Sequence, residues 1–453
     1  MKIVLSVTGF FPHAFGGGQV YVHHVGKELQ HRGHIVTILT TAPWQGDNGN
    51  MPLSSYEYKY DGLPVIAFSQ NPAFISEGCK YSEMSQILMQ GVRRTLIISA
   101  PDLVHINGLK AALITICDEL KIPSVVTAHH PGFVCPAGTL LTPEELLCQK
   151  VASPCICIPC CSKIKVKREP LGTILGHIPS WIYRPVGRTL NHVKRLPYLG
   201  RGLMFPWLIE QKLENCSVLM KESQGIIAPS RAMKELLIRN NAVPEKVFHI
   251  PHGIKPMKRF PVDNADGRKI RFGYVGRIDR AKGFHILAEA LEILSDAGEK
   301  AELHIFGGAQ NPWDKEYQIQ VLASYRGTIQ IIDHGYIEND RLSEIYRSID
   351  VLVFPSICFE VFGLVILEAF SAGRPVIVTK SGGPEEIVED GIDGFIVDRN
   401  CSKSLARAIQ RFIDDPALIV KMAKHIPHVR TIQEHVDDVE SMYYQLIREM
   451  IHV

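Results

Sequence analysis

The chain has 453 residues, which at roughly 100–200 residues per domain predicts two or three domains. Hydrophobic residues make up 46% and charged residues 21%, ordinary for a globular protein, and a formal net charge of +2 argues against nucleic acid as a partner. No run of about 18 apolar residues marks a transmembrane helix, and Met1–Thr8 is too short an apolar run for a signal peptide, so a cytoplasmic protein is expected.

Residues 3–8 form a short β-branched run, and Gly16-Gly17-Gly18 follows. Val22, Val25 and Leu29 then recur at helical spacing up to Gly33, and His34–Thr41 is a second β-type run. Strand, glycine loop, helix and strand in this order predict a parallel sheet. Glycines between a strand and a helix let backbone N–H groups approach a phosphate, although a tight turn asks for the same residues. A nicotinamide dinucleotide is disfavoured. Tyr21 stands where the G-x-G-x-x-G fingerprint needs its third glycine, and Thr40-Thr41-Ala42 end the second strand where an acid would hold the ribose. A Walker-type phosphate loop does not occur.

Residues 133–225 break the regular pattern and read as an insertion in the first domain, which spans 1–254. There are eleven cysteines in the chain, and six cluster at the start of this insertion. Cys157-x2-Cys160 has metal-ligand spacing, and Cys135 and Cys148 would complete a four-thiolate zinc site; free thiols are the other reading. Between Lys163 and Arg201 stand nine Lys or Arg and one acid, Glu169, interleaved with Leu171, Ile174, Trp181, Ile182, Leu190 and Leu196. Such a mixture suits an anionic membrane surface, and equally a solvated basic face.

Lys255–Lys269 is polar, holds Pro256, Pro261 and Gly267, and reads as a linker. Strand-like runs then alternate with helical patterns: Arg271–Val275, Ala301–Phe306, Ile329–Asp333, Val351–Pro355, Pro375–Thr379 and Phe395–Asp398. This predicts a second, doubly wound domain over 270–430. Residues 431–453 read as one long helix, with a return to the first domain as one course for it.

The second domain carries the stronger chemical signal. Gly276–Gly283 joins a strand to a helix, and Arg277 and Lys282 in it suit an anion such as a diphosphate leaving group; a solvated basic loop is the bland alternative. Farther on, Glu360 sits in a loop, Gly363-Leu364-Val365 opens a helix, and Glu368 lies inside it. A helix N-terminus favours phosphate, and carboxylates beside it can accept hydrogen bonds from sugar hydroxyls.

Phe359–Ala369 resembles the E-x7-E motif of retaining glycosyltransferases of family 4, and the likeness extends over Gly276–Asp398, Pro12–Thr41 and Ile226–Ile254. The resemblance implies the GT-B fold, two Rossmann-like α/β domains facing across a cleft. It also implies sugar transfer from a UDP- or GDP-linked donor to an acceptor hydroxyl, with retention and no required metal cofactor. By the same resemblance Arg277 and Lys282 grip the diphosphate, Glu360 orients the transferred sugar and Glu368 holds the ribose. The amides of Gly363, Leu364 and Val365 face the phosphates, Gly16 and Gly17 approach from the first domain, and His129 lies near the sugar. His130 departs from the family, which often has an acid there, as His252 does where asparagine is usual. A glycan or lipid-linked acceptor at the inner face of a bacterial membrane is expected. A sugar-nucleotide epimerase or phosphorylase of the same fold, or a non-catalytic sugar-nucleotide binder, are the alternatives.

Overall fold

The computed structural model describes residues 1–14, 16–44, 53–71, 86–165, 174–191, 193, 198–263, 267–294, 296–337 and 341–451. The chain forms two compact units, Met1–Pro251 joined by Gln433–Val453, and His252–Ile432.

The first unit is built on an eight-stranded sheet. Its strands are β1 (Lys2–Val7), β2 (Ile35–Ala42), β3 (Leu53–Tyr60), β4 (Leu63–Gln70), β5 (Leu103–Ile106), β6 (Ser124–Thr127), β7 (Gly225–Ala228) and β8 (Val247–His249). Their order is β3-β4-β2-β1-β5-β6-β7-β8, parallel throughout except for the β3–β4 hairpin. The inner strands β5, β6 and β7 are buried at every position, as expected where a parallel sheet is covered on both faces. At the edge, β3 alternates half-buried with exposed residues. The order reverses between β1 and β5, so the loops leaving these strands diverge and frame a crevice at their carboxyl ends.

The insertion is folded. Helices Pro154–Lys165, Ser180–Leu190 and Tyr198–Glu222 pack about a small core of Ile158, Cys161, Tyr183 and Ile209. Within it Glu210 is buried and accepts hydrogen bonds from the Tyr183 hydroxyl at 3.2 Å and from Arg184 at 2.7 and 3.0 Å. Arg184 is therefore the counter-ion of a buried carboxylate and not part of a free basic face. Of the residues read as a membrane-facing segment, Lys167, Arg168, Glu169, Leu171, Lys194, Arg195 and Leu196 lie outside the described residues.

The second unit has six parallel strands, β9 (Ile270–Arg277), β10 (Ala301–Gly308), β11 (Gln330–Asp333), β12 (Val351–Phe354), β13 (Val376–Thr379) and β14 (Gly394–Val397). Their order is β11-β10-β9-β12-β13-β14. It reverses between β9 and β12, so the two loops that carry Arg277, Lys282 and Glu360 leave the sheet at one switch point. The described part of the 255–269 stretch is docked on this unit and is not a free linker. Met257 N–H donates to Ser371 Oγ at 2.9 Å, and Phe260 N–H to the Ala372 carbonyl at 3.1 Å. Met257, Phe260 and Val262 pack on the core around Tyr346 and Phe370. These three apolar side chains hold down a segment whose prolines and charges otherwise suggest a tether. Where the chain enters and leaves the unit, Ile254 pairs with Thr431 in a parallel bridge.

One ion cluster locks β9 to β12. Asp350 is buried, and its carboxylate accepts from Arg268 at 2.7 Å, Arg271 at 2.8 Å and the Arg271 backbone N–H at 2.9 Å. Burial would raise its pKa, but these donors outweigh burial and hold it down to about 2. Asp350→Ala removes the buried acceptor shared by Arg268, Arg271 and the Arg271 backbone N–H, so thermal and urea unfolding should show a loss of about 1–3 kcal/mol. An unchanged urea midpoint would contradict that role.

Candidate active site

In the second unit the loop after β9 makes a tight turn. Asp279 caps it, its carboxylate accepting the Lys282 N–H at 3.0 Å, and Gly283 takes φ +72°. A Cβ on Gly283 would stand 2.0 Å from the Pro355 carbonyl oxygen, so only glycine lets this turn press against the loop after β12. That approach brings Lys282 to Glu360, with Nζ 2.6 Å from Oε1.

The Ser356 hydroxyl donates to the same Oε1 at 2.5 Å, and the Cys358 thiol stands 3.6 Å from it. Among the described residues no hydrogen bond reaches Oε2 of Glu360. One carboxylate oxygen is thus anchored and the other is left to accept from a ligand hydroxyl. The backbone of Glu360 is clamped as well. Its N–H donates to the Ser381 carbonyl at 2.7 Å, and its carbonyl accepts from Gly383 N–H at 2.8 Å. Burial alone would lower the pKa of Lys282, but the carboxylate of Glu360 raises it above the usual lysine value, so the ammonium stays charged. Burial pushes the Cys358 thiol up to about 12, which keeps a second anion away from Glu360.

Arg277 ends β9 half-exposed, 3.5 Å from both Asp279 and Gln310. Gly363, at φ +107°, precedes the helix Leu364–Ser371 with no side-chain cap, so the first amides, those of Leu364 and Val365, are not closed off by a capping side chain. One turn in, Glu368 Oε2 accepts from the Tyr346 hydroxyl at 2.7 Å. Burial raises the Glu368 pKa and that hydrogen bond opposes the rise. Arg277, Lys282, Glu360, Gly363 and Glu368 therefore lie on the loops and helix that leave β9 and β12. Ser356 and Tyr346, which orient the two carboxylates, were not singled out from the sequence; each is a buried polar residue with no motif of its own, 4 and 22 positions from the acid it serves.

In the first unit Gly16 precedes the helix Gly17–His31, which also lacks a side-chain cap, and there is open space where Gly17 and Gly18 would carry a Cβ. Gly108 brings the β5 loop onto the β1 loop, its Cβ position 2.3 Å from Thr8 N. His129 follows β6. Its Nε2 meets Asn107 Oδ1 at 2.7 Å, and its ring lies edge-on to Tyr21 at 4.7 Å. Burial, with His105, Lys110, His130 and His435 nearby, pushes the His129 pKa well below the usual histidine value, so the ring is neutral. His130 does a different job. Its Nδ1 accepts from Gly132 N–H at 3.0 Å, capping the turn Pro131–Phe133, and its Nε2 lies 2.8 Å from Lys110 Nζ.

The four cysteines named for a zinc site all lie in the insertion. Cys135, Cys148, Cys157 and Cys160 approach closely enough to raise the thiol pKa of Cys157 and Cys160, which burial and these neighbours push up to about 11. Among the described residues, however, no three His, Cys, Asp or Glu side chains are grouped as a metal requires. Cys157 instead packs on the small core of the insertion.

A stability signature follows from the buried histidines. His105 is fully buried, and burial with His435 nearby lowers its pKa to about 3. The unfolded chain takes up a proton near pH 6.5 and the folded chain does not, so this group's contribution is full above pH 6.5 and falls as pH drops toward 3. Thermal melts of wild type and His105→Gln from pH 8 to 4 should show the smaller acid-side loss in the variant. Parallel curves would contradict a buried neutral His105.

Comparison with known proteins adds the following. A family described as "Glycosyl transferases group 1" matches residues 258–428, and one described as "Glycosyl transferase 4-like domain" matches residues 16–155. The chain is 25% identical to a Mycobacterium tuberculosis glycogen synthase, over 94% of this chain and 89% of that one. It is 27% identical to the Staphylococcus aureus capsular polysaccharide biosynthesis glycosyltransferase CapM, over 62% of this chain and 74% of the other. In fold it is similar to Anabaena HepE in complex with UDP-glucose, with TM-score 0.61, 17% identity and full coverage of both chains. The two parallel-sheet units are those of the GT-B fold.

Proposed function

Because the chain belongs to the group 1 and 4-like glycosyltransferases, we propose that it moves a sugar from a nucleoside diphosphate sugar to an acceptor hydroxyl with retention of configuration. The observation that carries this reading is the Lys282–Glu360 pair at the switch point of the second unit, with one glutamate oxygen anchored and the other open. A donor diphosphate draws on Lys282, Arg277 and the amides of Leu364 and Val365, while Glu360 accepts from a hydroxyl of the transferred sugar and Glu368 from the ribose. The bond from C1 to the phosphate oxygen breaks with its electron pair going to the phosphate. The acceptor oxygen bonds to C1 on the same face, and the leaving phosphate takes the acceptor proton. Positive charge already in place stabilises the growing diphosphate charge, which is the larger part of such catalysis. In the first unit, Gly16 and Gly17 serve the diphosphate and His129, held neutral, serves the sugar as a hydrogen-bonding group. A UDP-linked donor is supported by the likeness to HepE, and a surface-polysaccharide acceptor by the likeness to CapM.

A lipid-linked acceptor is part of the same reading. Among the described residues no helix is long and apolar enough to cross a membrane. Trp181 is 75% and Ile174 64% exposed on the insertion, where Arg188 is exposed as well, and such residues suit shallow insertion at an anionic surface.

Two outcomes test this. Glu360→Gln should keep nucleoside diphosphate affinity and lose about 100-fold or more in transfer, measured as diphosphate release with a membrane extract as acceptor source; near-normal turnover would sink the assignment. In co-sedimentation with phosphatidylglycerol vesicles at low salt, Trp181→Ser with Ile174→Ser should reduce binding several-fold. A wild type that ignores these vesicles would make a soluble acceptor the better reading.

A further inference from the structure

Behind His129 lies a chain of buried side chains that the transfer chemistry does not use. It runs through two histidines, two tyrosines and a threonine from β5, β6, the helix Gly17–His31 and the C-terminal helix Ile432–Ile451, all within the first unit. His435 Nδ1 lies 2.8 Å from the Pro251 carbonyl oxygen, and His435 Nε2 lies 3.0 Å from the Tyr21 hydroxyl. Tyr21 also hydrogen-bonds Thr127. Thr127 Oγ1 lies 2.6 Å from His105 Nε2, and His105 Nδ1 lies 2.5 Å from the Tyr443 hydroxyl. His105, Thr127, His435 and Tyr443 are fully buried, and Tyr21 is nearly so.

The direction of every hydrogen bond follows from one end. A carbonyl only accepts, so His435 Nδ1–H donates to Pro251. Burial disfavours a second proton on that imidazole, so its Nε2 accepts the Tyr21 hydroxyl proton. The Tyr21 oxygen must then accept from Thr127, whose single proton is now committed. Thr127 therefore accepts from His105 Nε2–H, and His105 Nδ1 accepts from Tyr443. The result is an uncharged, one-directional series of five hydrogen bonds, and its two outer side chains, His435 and Tyr443, both come from the C-terminal helix.

The middle of this series holds the ring that touches His129. Tyr21 meets the His129 ring at 4.7 Å with a 71° interplanar angle. On its other side Asn107 takes Nε2, and Asn107 is itself oriented through Nδ2 to the carbonyl of His105, at 3.4 Å. His129 is thus set between a tyrosine that the C-terminal helix holds and an asparagine that directly follows the strand carrying His105.

We propose that His435 is a positioning residue for the transfer reaction: by taking the Tyr21 hydroxyl proton it fixes the Tyr21 ring, which fixes the imidazole of His129, so that the last helix of the chain sets the geometry of a residue more than 300 positions earlier. This rests on the reading of His129 as a group that serves the transferred sugar.

The test compares His435→Leu, which removes both ring nitrogens, with His435→Gln, whose amide oxygen can still take the phenol proton. Val439→Ala is the control; it is fully buried on the same helix and lies outside the hydrogen-bonded series. Two readouts are used on the full chain: steady-state kinetics of nucleoside diphosphate release, and the imidazole nitrogen signals of 15N-histidine-labelled protein, with His129 identified by its loss in His129→Ala. His435→Leu should lower kcat about 10–100-fold with donor KM within about twofold, the size expected for a misplaced reacting group. In it the His129 signals should also leave the single Nε2–H tautomer pattern expected of the wild type. His435→Gln should recover most of both, and Val439→Ala should lower Tm while leaving both in place. If His435→Leu keeps the His129 signals and kcat while His129→Ala is inactive, the positioning proposal fails and the transfer reading stands. If His129→Ala keeps normal turnover, the reading beneath the proposal has failed. If Val439→Ala and His435→Leu lose kcat equally, the helix acts through stability alone and the proposal is overturned.

Discussion

Lys282 and Glu360 stand 2.6 Å apart at the point where the strand order of the second unit reverses. A pair this buried adds little net stability to folding, because the cost of taking both charges out of water offsets their attraction. Its consequence is geometric. To bring it together the β9 loop must lie on the β12 loop, which glycine at 283 permits, and Glu360 must be clamped by the Ser381–Gly383 backbone. The Asp350 cluster fixes the other ends of the same two strands. The sheet order, the glycines and the buried ion cluster thus converge on where one ammonium and one carboxylate stand.

The first unit achieves its placement by a different kind of force. Around His129 the described partners are uncharged hydrogen-bonding groups and rings, with the Lys110 ammonium one ring away, at His130. Buried neutral networks of this sort are costly when incomplete and specific when every member is satisfied. The C-terminal helix completes it, and ion pairs from Arg32 to Asp437 and Glu440, with a hydrogen bond between His34 and Glu440, anchor that helix near the start of β2. The charged cluster around Lys282 and Glu360 and the neutral one around His129 are therefore assembled by separate physical means.

Much of this was legible in the sequence. Short β-branched runs alternating with helical spacing indicated parallel sheets, and the glutamates at 360 and 368, flanked by Phe362-Gly363, indicated the loop and helix on which they stand. Other features were not. The β3–β4 hairpin has an outer strand that alternates polar and aromatic residues and resembles a polar connection. The stretch after Lys255 reads as a tether until Met257, Phe260 and Val262 are seen on the core. The cysteine spacing suggested a ligand set, yet one of those thiols faces a local apolar core. The His105–Tyr443 and Tyr21–His435 contacts span 338 and 414 positions, and no local pattern encodes them.

The central claim is that Lys282 is a diphosphate ligand whose partner in the donor-free protein is Glu360. Calorimetric titration in the presence of EDTA tests it, using whichever of UDP, GDP and ADP binds the wild type most tightly. Lys282→Ala loses a charge-assisted contact of about 1.5–3 kcal/mol, so its Kd should rise roughly 10–150-fold. Glu360→Gln releases the ammonium from its competitor, so its Kd should stay equal or fall. Unchanged affinity in Lys282→Ala, or equal weakening in both variants, would contradict the account.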